Sequence, residues 1–179
     1  MIQIAGSAQR SYVFPAKLRD ALAYYGDIGR SFRFLTYISV VHSYAAGQYR
    51  LLYNNLESGL YRVKIFCDVL AVVEEDRYLI RISPSERDPP VRAQAGLYSM
   101  TGQGFYSSEI HFSKCGEQTR IEYSIEMKAS LPVPLTLRWI PDGLMNSIAQ
   151  YRFYLHTDQV IDRFIEQSVL AYGIDSREE

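Results

Sequence analysis

The chain has 179 residues, of which 47% are hydrophobic and 22% charged, and its formal net charge is -1. This size predicts a single domain over residues 1–179 with a sizeable core. The balanced charge argues against general attraction to nucleic acid, and no segment resembles a signal peptide or a membrane span. With only Cys67 and Cys115, no disulfide framework is expected, and the default location is cytoplasmic.

The first part of the chain predicts a strand followed by two short helices. Ile2 to Tyr12 suits a strand, and Pro15 stands where a helix can begin. Ala16 to Tyr25 then has the apolar spacing of a short helix. Asp27 suits the cap position of a second short helix that runs to Leu35. These two helices are expected to form a hairpin.

Strands dominate the middle of the chain. The clearest are Tyr61 to Val73 and Thr119 to Ala129, because nearly every second residue in each is apolar. Shorter strand patterns cover Ile38 to Tyr44, Gln48 to Asn54, Tyr78 to Ser83 and Gly104 to Phe112. Short turns at Ala46-Gly47 and Ser58-Gly59 separate neighbours, which predicts antiparallel pairing. Ser85 to Gly102 is the least regular stretch and opens with a surface loop.

A long helix is predicted near the end of the chain. Pro141 suits its first position, and Gly173 suits a left-handed cap at its end. The apolar residues on one face, expected to contact the sheet, are Leu144, Ile148, Tyr151 and Leu155. Asp158 and Asp162 interrupt that face. They lie either at the mouth of a water-filled cavity or in solvent, with the apolar face resuming about a quarter turn away through Ile161, Ile165 and Tyr172.

This order of elements predicts an α+β fold, in which a seven-stranded curved antiparallel sheet grips a long C-terminal helix and two short helices follow the first strand. The order resembles the START-like superfamily, also called the helix-grip or birch-pollen-allergen fold. Within it, the chain is similar to a group of cyanobacterial and plastid proteins. The segments that carry this likeness are Ile28 to Ile38 (IGRSFRFLTYI), Tyr49 to Asn55 (YRLLYNN) and Leu131 to Pro141 (LPVPLTLRWIP).

The resemblance implies a cavity for a hydrophobic ligand of the lipid, quinone, pigment or polyketide type. It does not choose among these ligands, because one fold hosts many functions. The glycine-rich loop of the birch-allergen type is absent, since Glu74-Glu75-Asp76 stands in its place. The 15 tyrosines suit either a β-rich core or the wall of such a cavity.

Motifs for chemistry are few. His111 and Cys115 lie close in sequence, but a metal site needs three or four ligands, so no metal is predicted. Phosphate-binding and nucleophile-elbow motifs are missing, and no cofactor is expected. The polar residues Glu109, His111, Glu122 and Glu126 alternate with apolar ones. They predict a solvated sheet face. The alternative is general acid–base catalysis in a desolvated pocket.

Basic residues gather near the predicted helical hairpin. The set is Arg10, Lys17, Arg19, Arg30 and Arg33. A solvated helix face is the simplest interpretation, and nucleic-acid binding is not expected. The better alternative is a transient contact with an anionic membrane surface during ligand exchange.

The leading interpretation is a non-catalytic carrier or sensor that binds a hydrophobic small molecule between sheet and helix. The predicted cavity residues, apolar walls with orienting tyrosine hydroxyls, are Tyr49, Leu51, Tyr53, Val63, Ile65, Ile80, Tyr123, Ile125, Leu144, Ile148 and Tyr151. Two alternatives stay open. Convergent ionisable groups in the cavity would favour a cyclase or hydrolase that uses its tyrosines and a carboxylate, and a fully packed interior would favour a protein-interaction module. Oligomeric state is left open.

Overall fold

The computed structural model describes residues 1–45, 47–86 and 90–178, with side chains up to residue 174, and confirms the α+β fold. The strands are β1 Ile2–Phe14, β2 Ile38–Ser43, β3 Gln48–Glu57, β4 Tyr61–Glu74, β5 Leu79–Pro84, β6 Gln94–Ala95, β7 Ser99–Cys115 and β8 Gln118–Leu131. The α-helices are α1 Leu18–Gly26, α2 Ile28–Phe32 and α3 Asp142–Glu178. Single turns of 3-10 helix cover Glu75–Arg77 and Leu135–Leu137.

The strands form one sheet in the order β1-β8-β7-β5-β4-β3-β2, and the short β6 pairs with β7. Neighbours are antiparallel with one exception, since Ser99 to Gln103 of β7 run parallel to Arg62 to Phe66 of β4. The six-residue β5 pairs only with the second half of β4, so β7 takes its place beside the first half. This parallel segment departs from the prediction of a purely antiparallel sheet.

Local sequence signals account for the α1–α2 junction and the β3–β4 turn. Asp27 caps α2 as predicted, because its Oδ1 accepts a hydrogen bond from the Arg30 backbone N–H at 3.0 Å. Ser58 and Gly59 both have positive φ angles, of 53° and 68°, as the two central residues of a type I′ turn require, and Leu60 completes the three-residue loop between β3 and β4. This turn sets the register of β3 on β4 and places Glu57 opposite Tyr61.

Two predicted loops involve residues outside the described part of the chain. Ala46 of the predicted Ala46-Gly47 turn is one such residue, while Gly47 is described and has a φ angle of 76°. Residues 87–89 of the loop that begins at Ser85 are the others. The predicted irregular stretch after that loop contains β6 and the beginning of β7.

Helix α3 begins at Asp142, one residue after Pro141, the predicted first position, and the predicted cap at Gly173 is wrong. The helix continues through Gly173 to Glu178, which makes it about 55 Å long. The reason is packing at its last turns. The Tyr172 ring lies 4.7 Å from the Phe14 ring and 5.0 Å from the Tyr24 ring, and such contacts outweigh the helix cost of one glycine, about 1 kcal/mol.

The predicted contact face is wrong for the first half of α3, whereas Ile161, Ile165 and Tyr172 of the second half pack against the core as predicted. Leu144, Ile148, Tyr151 and Leu155 are between 41% and 65% exposed. The buried residues of α3 are Met145, Phe153, Thr157, Val160, Ile161, Phe164 and Ser168. No helix in the described chain is apolar enough over a sufficient length to cross a membrane.

A close approach between α3 and β1 explains this rotation of the helix. Gly6 of β1 faces Thr157, and a Cβ atom at Gly6 would lie only 3.0 Å from the Thr157 Cβ. The Thr157 hydroxyl donates a hydrogen bond to the Phe153 carbonyl at 2.9 Å, so its polarity is satisfied within the helix. Small residues therefore occupy the contact, and the bulkier Leu144 face turns outward.

Polar side chains of α3 also bind the β1 edge of the sheet. The Asn146 side chain accepts a hydrogen bond from the Gln3 N–H at 3.0 Å. The Gln150 amide accepts from the Ala5 N–H at 2.9 Å and donates to the Ala5 carbonyl. Because β1 is an edge strand, these amides satisfy backbone groups that would otherwise be free to pair with another chain.

The two aspartates that interrupt the apolar face of α3 pair with β1 as well. Arg10 Nη2 lies 3.1 Å from Asp158 Oδ1, and Arg10 Nε lies 2.8 Å from Asp162 Oδ1. Neither carboxylate lines the cavity described below. Their place in the sequence therefore reflects the docking of α3 on β1.

Candidate ligand-binding cavity

Aromatic rings fill one end of the space between sheet and α3. We call the following residues the aromatic cluster: Phe14, Tyr24, Tyr25, Phe34, Phe112, Tyr123, Phe164 and Tyr172. Neighbouring ring centres lie between 4.7 and 6.3 Å apart, which is the range of favourable aromatic packing. Ser168 binds two of the hydroxyl groups. Its Oγ lies 2.8 Å from the Tyr25 hydroxyl oxygen, and its carbonyl accepts a hydrogen bond from the Tyr24 hydroxyl at 3.0 Å. At this end the tyrosines build a packed core.

The opposite end contains a cavity of about 230 Å³. Its walls come from β1, β3, β4, β7, β8, the 3-10 turn before α3 and the first three turns of α3. The lining residues are Ile2, Ile4, Tyr53, Glu57, Ser58, Tyr61, Val63, Met100, Leu131, Leu137, Ile140, Met145, Ile148, Ala149, Arg152 and Phe153. Most are aliphatic. Ser58, Ile148 and Arg152 are exposed, so the cavity opens to solvent beside them.

Three of the predicted ligand-binding residues, Tyr53, Val63 and Ile148, line this cavity. Others are buried in the core without lining it, namely Leu51, Ile65, Ile80, Tyr123 and Ile125. Tyr49 is half-buried, and its ring packs 5.2 Å from that of Phe32. Leu144 and Tyr151 were expected to face inward. They are 56% and 65% exposed instead, because α3 is rotated on β1.

A cluster of polar side chains stands at one wall of the cavity, and the sequence did not single it out. We call Asn55, Glu57, Arg152 and His156 the polar cluster. Glu57 Oε1 lies 3.1 Å from His156 Nε2 and accepts a hydrogen bond from Asn55 Nδ2 at 2.8 Å. Glu57 Oε2 lies 3.6 Å from Arg152 Nη1. The cluster thus joins the end of β3 to the middle of α3.

A signal for part of this cluster was present in the alternation of β3. Tyr49, Leu51 and Tyr53 predict one inward face, and the same period of two continues through Asn55 to Glu57. The predicted strand ended at Asn54 because Asn-Asn and Ser-Gly are typical of turns. Once β3 extends to Glu57, the carboxylate belongs to the inward face.

The polar cluster is charged. Burial by itself would raise the pKa of Glu57, but the hydrogen bonds from His156 and Asn55 and the charge of Arg152 outweigh it and lower that pKa. The hydrogen bond with Glu57 is also the main reason why the pKa of His156 is raised, against the smaller opposing effect of burial. Glu57 is therefore a carboxylate that Asn55, Arg152 and His156 hold at the cavity wall.

The outer face of the sheet is solvated and ion-paired, as its alternation predicted. Glu109 Oε1 lies 2.8 Å from Arg81 Nε, and Glu109 Oε2 lies 3.3 Å from His111 Nε2. Glu126 pairs with Lys128 at 2.7 Å. Over the described residues, no three His, Cys, Asp or Glu side chains are placed to hold a metal ion.

Three of the five basic residues expected to form a patch, Arg10, Lys17 and Arg30, have acidic partners. Lys17 Nζ lies 3.2 Å from Glu117, and Arg30 Nε lies 3.6 Å from Asp27. Arg10 is engaged by the two aspartates of α3. These pairs reduce the positive charge that an anionic partner would meet at the helical hairpin.

No family model matches this chain, and no match is found among curated proteins. Solved structures do match. A Thermus thermophilus protein has 18% identity over 94% of this chain and 98% of its own, with a TM-score of 0.53. A Deinococcus radiodurans protein has 9% identity over 92% and 98%, with a TM-score of 0.52. A START superfamily protein from Mycobacterium smegmatis has 10% identity over 90% and 97%, with a TM-score of 0.44.

These likenesses concern the fold. The chain has the predicted helix-grip arrangement of one sheet and a long C-terminal helix, and the Thermus and Deinococcus structures share this fold. At such identities, function has to be argued from the cavity itself. The resemblance to a particular cyanobacterial and plastid group stays a prediction.

Proposed function

We propose that this protein binds a compact hydrophobic small molecule between the sheet and the first turns of α3, as a carrier or sensor. The observation that carries the proposal is the cavity of about 230 Å³ whose walls are mainly aliphatic. Natural ligand sites combine such walls with a few polar groups that orient the ligand. Tyr53, Glu57 and Arg152 supply polar groups here.

The size of the cavity restricts the ligand. Sites for drug-sized molecules usually have volumes of about 300–1,000 Å³. A cavity of about 230 Å³ therefore suits a one- or two-ring molecule, or one end of a longer chain. Among the ligand types that the resemblance implies, compact quinones and polyketide fragments fit best.

An enzyme of the cyclase or hydrolase type is the second candidate, because two ionisable groups, Glu57 and Arg152, line the cavity together. Their electrostatics favour binding over catalysis. A general base works best with a pKa near the working pH, whereas the pKa of Glu57 is lowered. Burial raises the pKa of Tyr53, which makes its hydroxyl a poor proton donor at neutral pH.

The proposal is tested by filling the cavity. Val63 is buried and lines it, so Val63→Trp should occupy much of its volume. Val72 lies on the same strand and is 41% exposed, which makes Val72→Trp the matched control. Thermal unfolding and circular dichroism would establish that both variants are folded.

Calorimetric titration with 1,4-naphthoquinone and 2-methoxynaphthalene gives the readout. We expect saturable binding by the natural protein and by Val72→Trp, and at least about a tenfold loss in Val63→Trp, since overfilling a packed site excludes the ligand. Equal binding by the two variants would place the ligand elsewhere. Absence of binding by all three proteins would favour an interaction module.

A further inference from the structure

One carboxylate oxygen of Glu57 has no hydrogen-bond partner among the described residues, although Arg152 lies near it as an ion-pair partner. Its Oε1 is engaged by His156 Nε2 at 3.1 Å and by Asn55 Nδ2 at 2.8 Å. Its Oε2 is buried and has no hydrogen-bond partner among the described residues. Arg152 Nη1 at 3.6 Å is beyond the 2.7–3.2 Å typical of N–H···O hydrogen bonds.

Such an oxygen is unusual in a folded protein. Nearly all buried polar atoms have hydrogen-bond partners, and an unpaired one costs stability, more so when it is charged. The Glu57 side chain is held in place from the other side by His156, which also lies 3.4 Å through its Nδ1 from Gln159 Oε1. The carboxylate is thus fixed in the cavity wall, with one acceptor that lacks a hydrogen bond.

We infer that the ligand carries an uncharged hydrogen-bond donor, a hydroxyl or phenol group, which donates to Glu57 Oε2. This inference rests on the proposed binding function and names the class of ligand. The hydrogen bond satisfies the buried oxygen, while the aliphatic walls take the rest of the molecule. Because the acceptor is ionised, the bond is of the stronger, charge-assisted kind.

The same arrangement disfavours an anionic ligand. A carboxylate at Oε2 would bring two negative charges together within a mainly apolar cavity, where their repulsion is poorly screened. Arg152 is the one cationic side chain that lines the cavity among the described residues, and it already faces Glu57 as an ion pair. Recognition through Arg152 would instead favour an anion. The relative affinity for neutral and anionic ligands therefore distinguishes recognition by Glu57 from recognition by Arg152.

The test uses three probes of the same ring size: 2-naphthol with a donor, 2-methoxynaphthalene without one, and 2-naphthoate as an anion. Calorimetry at pH 7 on the natural protein should find 2-naphthol bound about tenfold or more tightly than 2-methoxynaphthalene, as a hydrogen bond to a charged group implies. 2-Naphthoate should bind more weakly than 2-naphthol.

Two variants locate the effect. Glu57→Gln keeps the side-chain shape and removes the charge, so the preference for 2-naphthol should fall to about threefold or less, because hydrogen bonds between neutral groups are weaker. The fall should come from weaker binding of 2-naphthol, and 2-methoxynaphthalene is the reference probe within each protein. Glu122→Gln, on the exposed outer face of the sheet, is the matched control and should keep the full preference.

Each outcome decides between the inference and the proposed function. Equal binding of 2-naphthol and 2-methoxynaphthalene by the natural protein would overturn the donor inference and leave hydrophobic binding intact. Tightest binding of 2-naphthoate would also overturn it, and would assign recognition to Arg152. If no probe binds, the proposed function fails as well. The comparison on the natural protein is decisive even if Glu57→Gln does not fold.

Discussion

The two ends of the space between the sheet and α3 have the same fold around them and opposite contents. At the α1 end, the aromatic cluster fills the space, and the hydroxyl groups of Tyr24 and Tyr25 bind Ser168. At the other end, Ile2, Ile4, Val63 and Met100 face α3, and a cavity of about 230 Å³ is left. The difference lies in side-chain size, because long strands and one helix bound both ends.

The two halves of α3 have different roles, one in stability and one in the proposed binding function. The second half of α3 provides Phe164 and Ser168 to the packed end, whereas the first half provides Met145 and Phe153 to the cavity wall. A close-packed end can hold the helix in place while the other end retains unfilled volume. Binding capacity therefore does not require the whole interior to be open.

The largest expected effect on the free energy of unfolding comes from replacing a phenylalanine of α3 by alanine, once at each end. Phe164→Ala, in the aromatic cluster, should lower the free energy of unfolding by about 3–5 kcal/mol, because a large buried ring is lost from a filled core. Phe153→Ala, on the same helix, should cost at least about 1 kcal/mol less, since the Phe153 ring borders unfilled space and makes fewer contacts. Urea unfolding measures both, and equal losses would contradict the contrast.

A smaller effect is expected where the helix meets the edge strand between the ends. Gly6→Ala should lower the free energy of unfolding by about 1–3 kcal/mol, because its Cβ would press on Thr157 and force α3 away from β1. Gly59→Ala, in the hairpin turn, is not a suitable comparison because Gly59 has a positive φ. Ala8→Ser, on the same inward face of β1, tests a small added group without a collision with Thr157. A neutral Gly6→Ala would mean that the close approach is not required.

The order of elements was predictable because each signal is local. Period-two alternation identified β4 and β8, and a capping aspartate located α2. The parallel contact of β7 with β4 was not predictable, since it depends on where the short β5 ends. The end of α3 was missed for a similar reason, because the contacts of Tyr172 with β1 and α1 act over long sequence separations.

The candidate site was predictable only in part. Tyr53 and Val63 follow from strand alternation, and Ile148 borders the cavity although its face of α3 is outward. The docked face of α3 contains Thr157 and Ser168, which are small and polar, so a search for the most apolar face selects the exposed one. Sequence patterns report polarity, while the contact with Gly6 depends on size.

The polar cluster at the cavity end should make the free energy of unfolding depend on pH, by about 1 kcal/mol at most. The raised pKa of His156 means that its stabilisation is fully present below about pH 6.5 and is lost as pH rises through its folded-state pKa. The lowered pKa of Glu57 means that its stabilisation is present above about pH 4.5 and is lost as pH falls through its folded-state pKa. The pair should therefore contribute most between these values.

The measurement compares the natural protein with His156→Gln. Their difference in free energy of unfolding should be larger at pH 5.5 than at pH 8.5, because the charged imidazole is the form that Glu57 stabilises. His111→Gln, on the exposed outer face of the sheet, controls for losing an imidazole. A difference that grows toward pH 8.5 would mean that neutral His156 is the stabilising form.

The smallest effect is expected at the cavity mouth. Ile148→Asp would be severe if this side chain were packed against the sheet, but Ile148 is 51% exposed and lines the opening of the cavity. We expect a loss of about 0.5 kcal/mol, typical of a surface position, and the new carboxylate can pair with Arg152 one turn later. Phe153→Asp, five residues further on and 5% exposed, should be strongly destabilising because it buries a charge. Similar urea midpoints for Ile148→Asp and Phe153→Asp would mean that this end is packed like the other, with no opening beside Ile148.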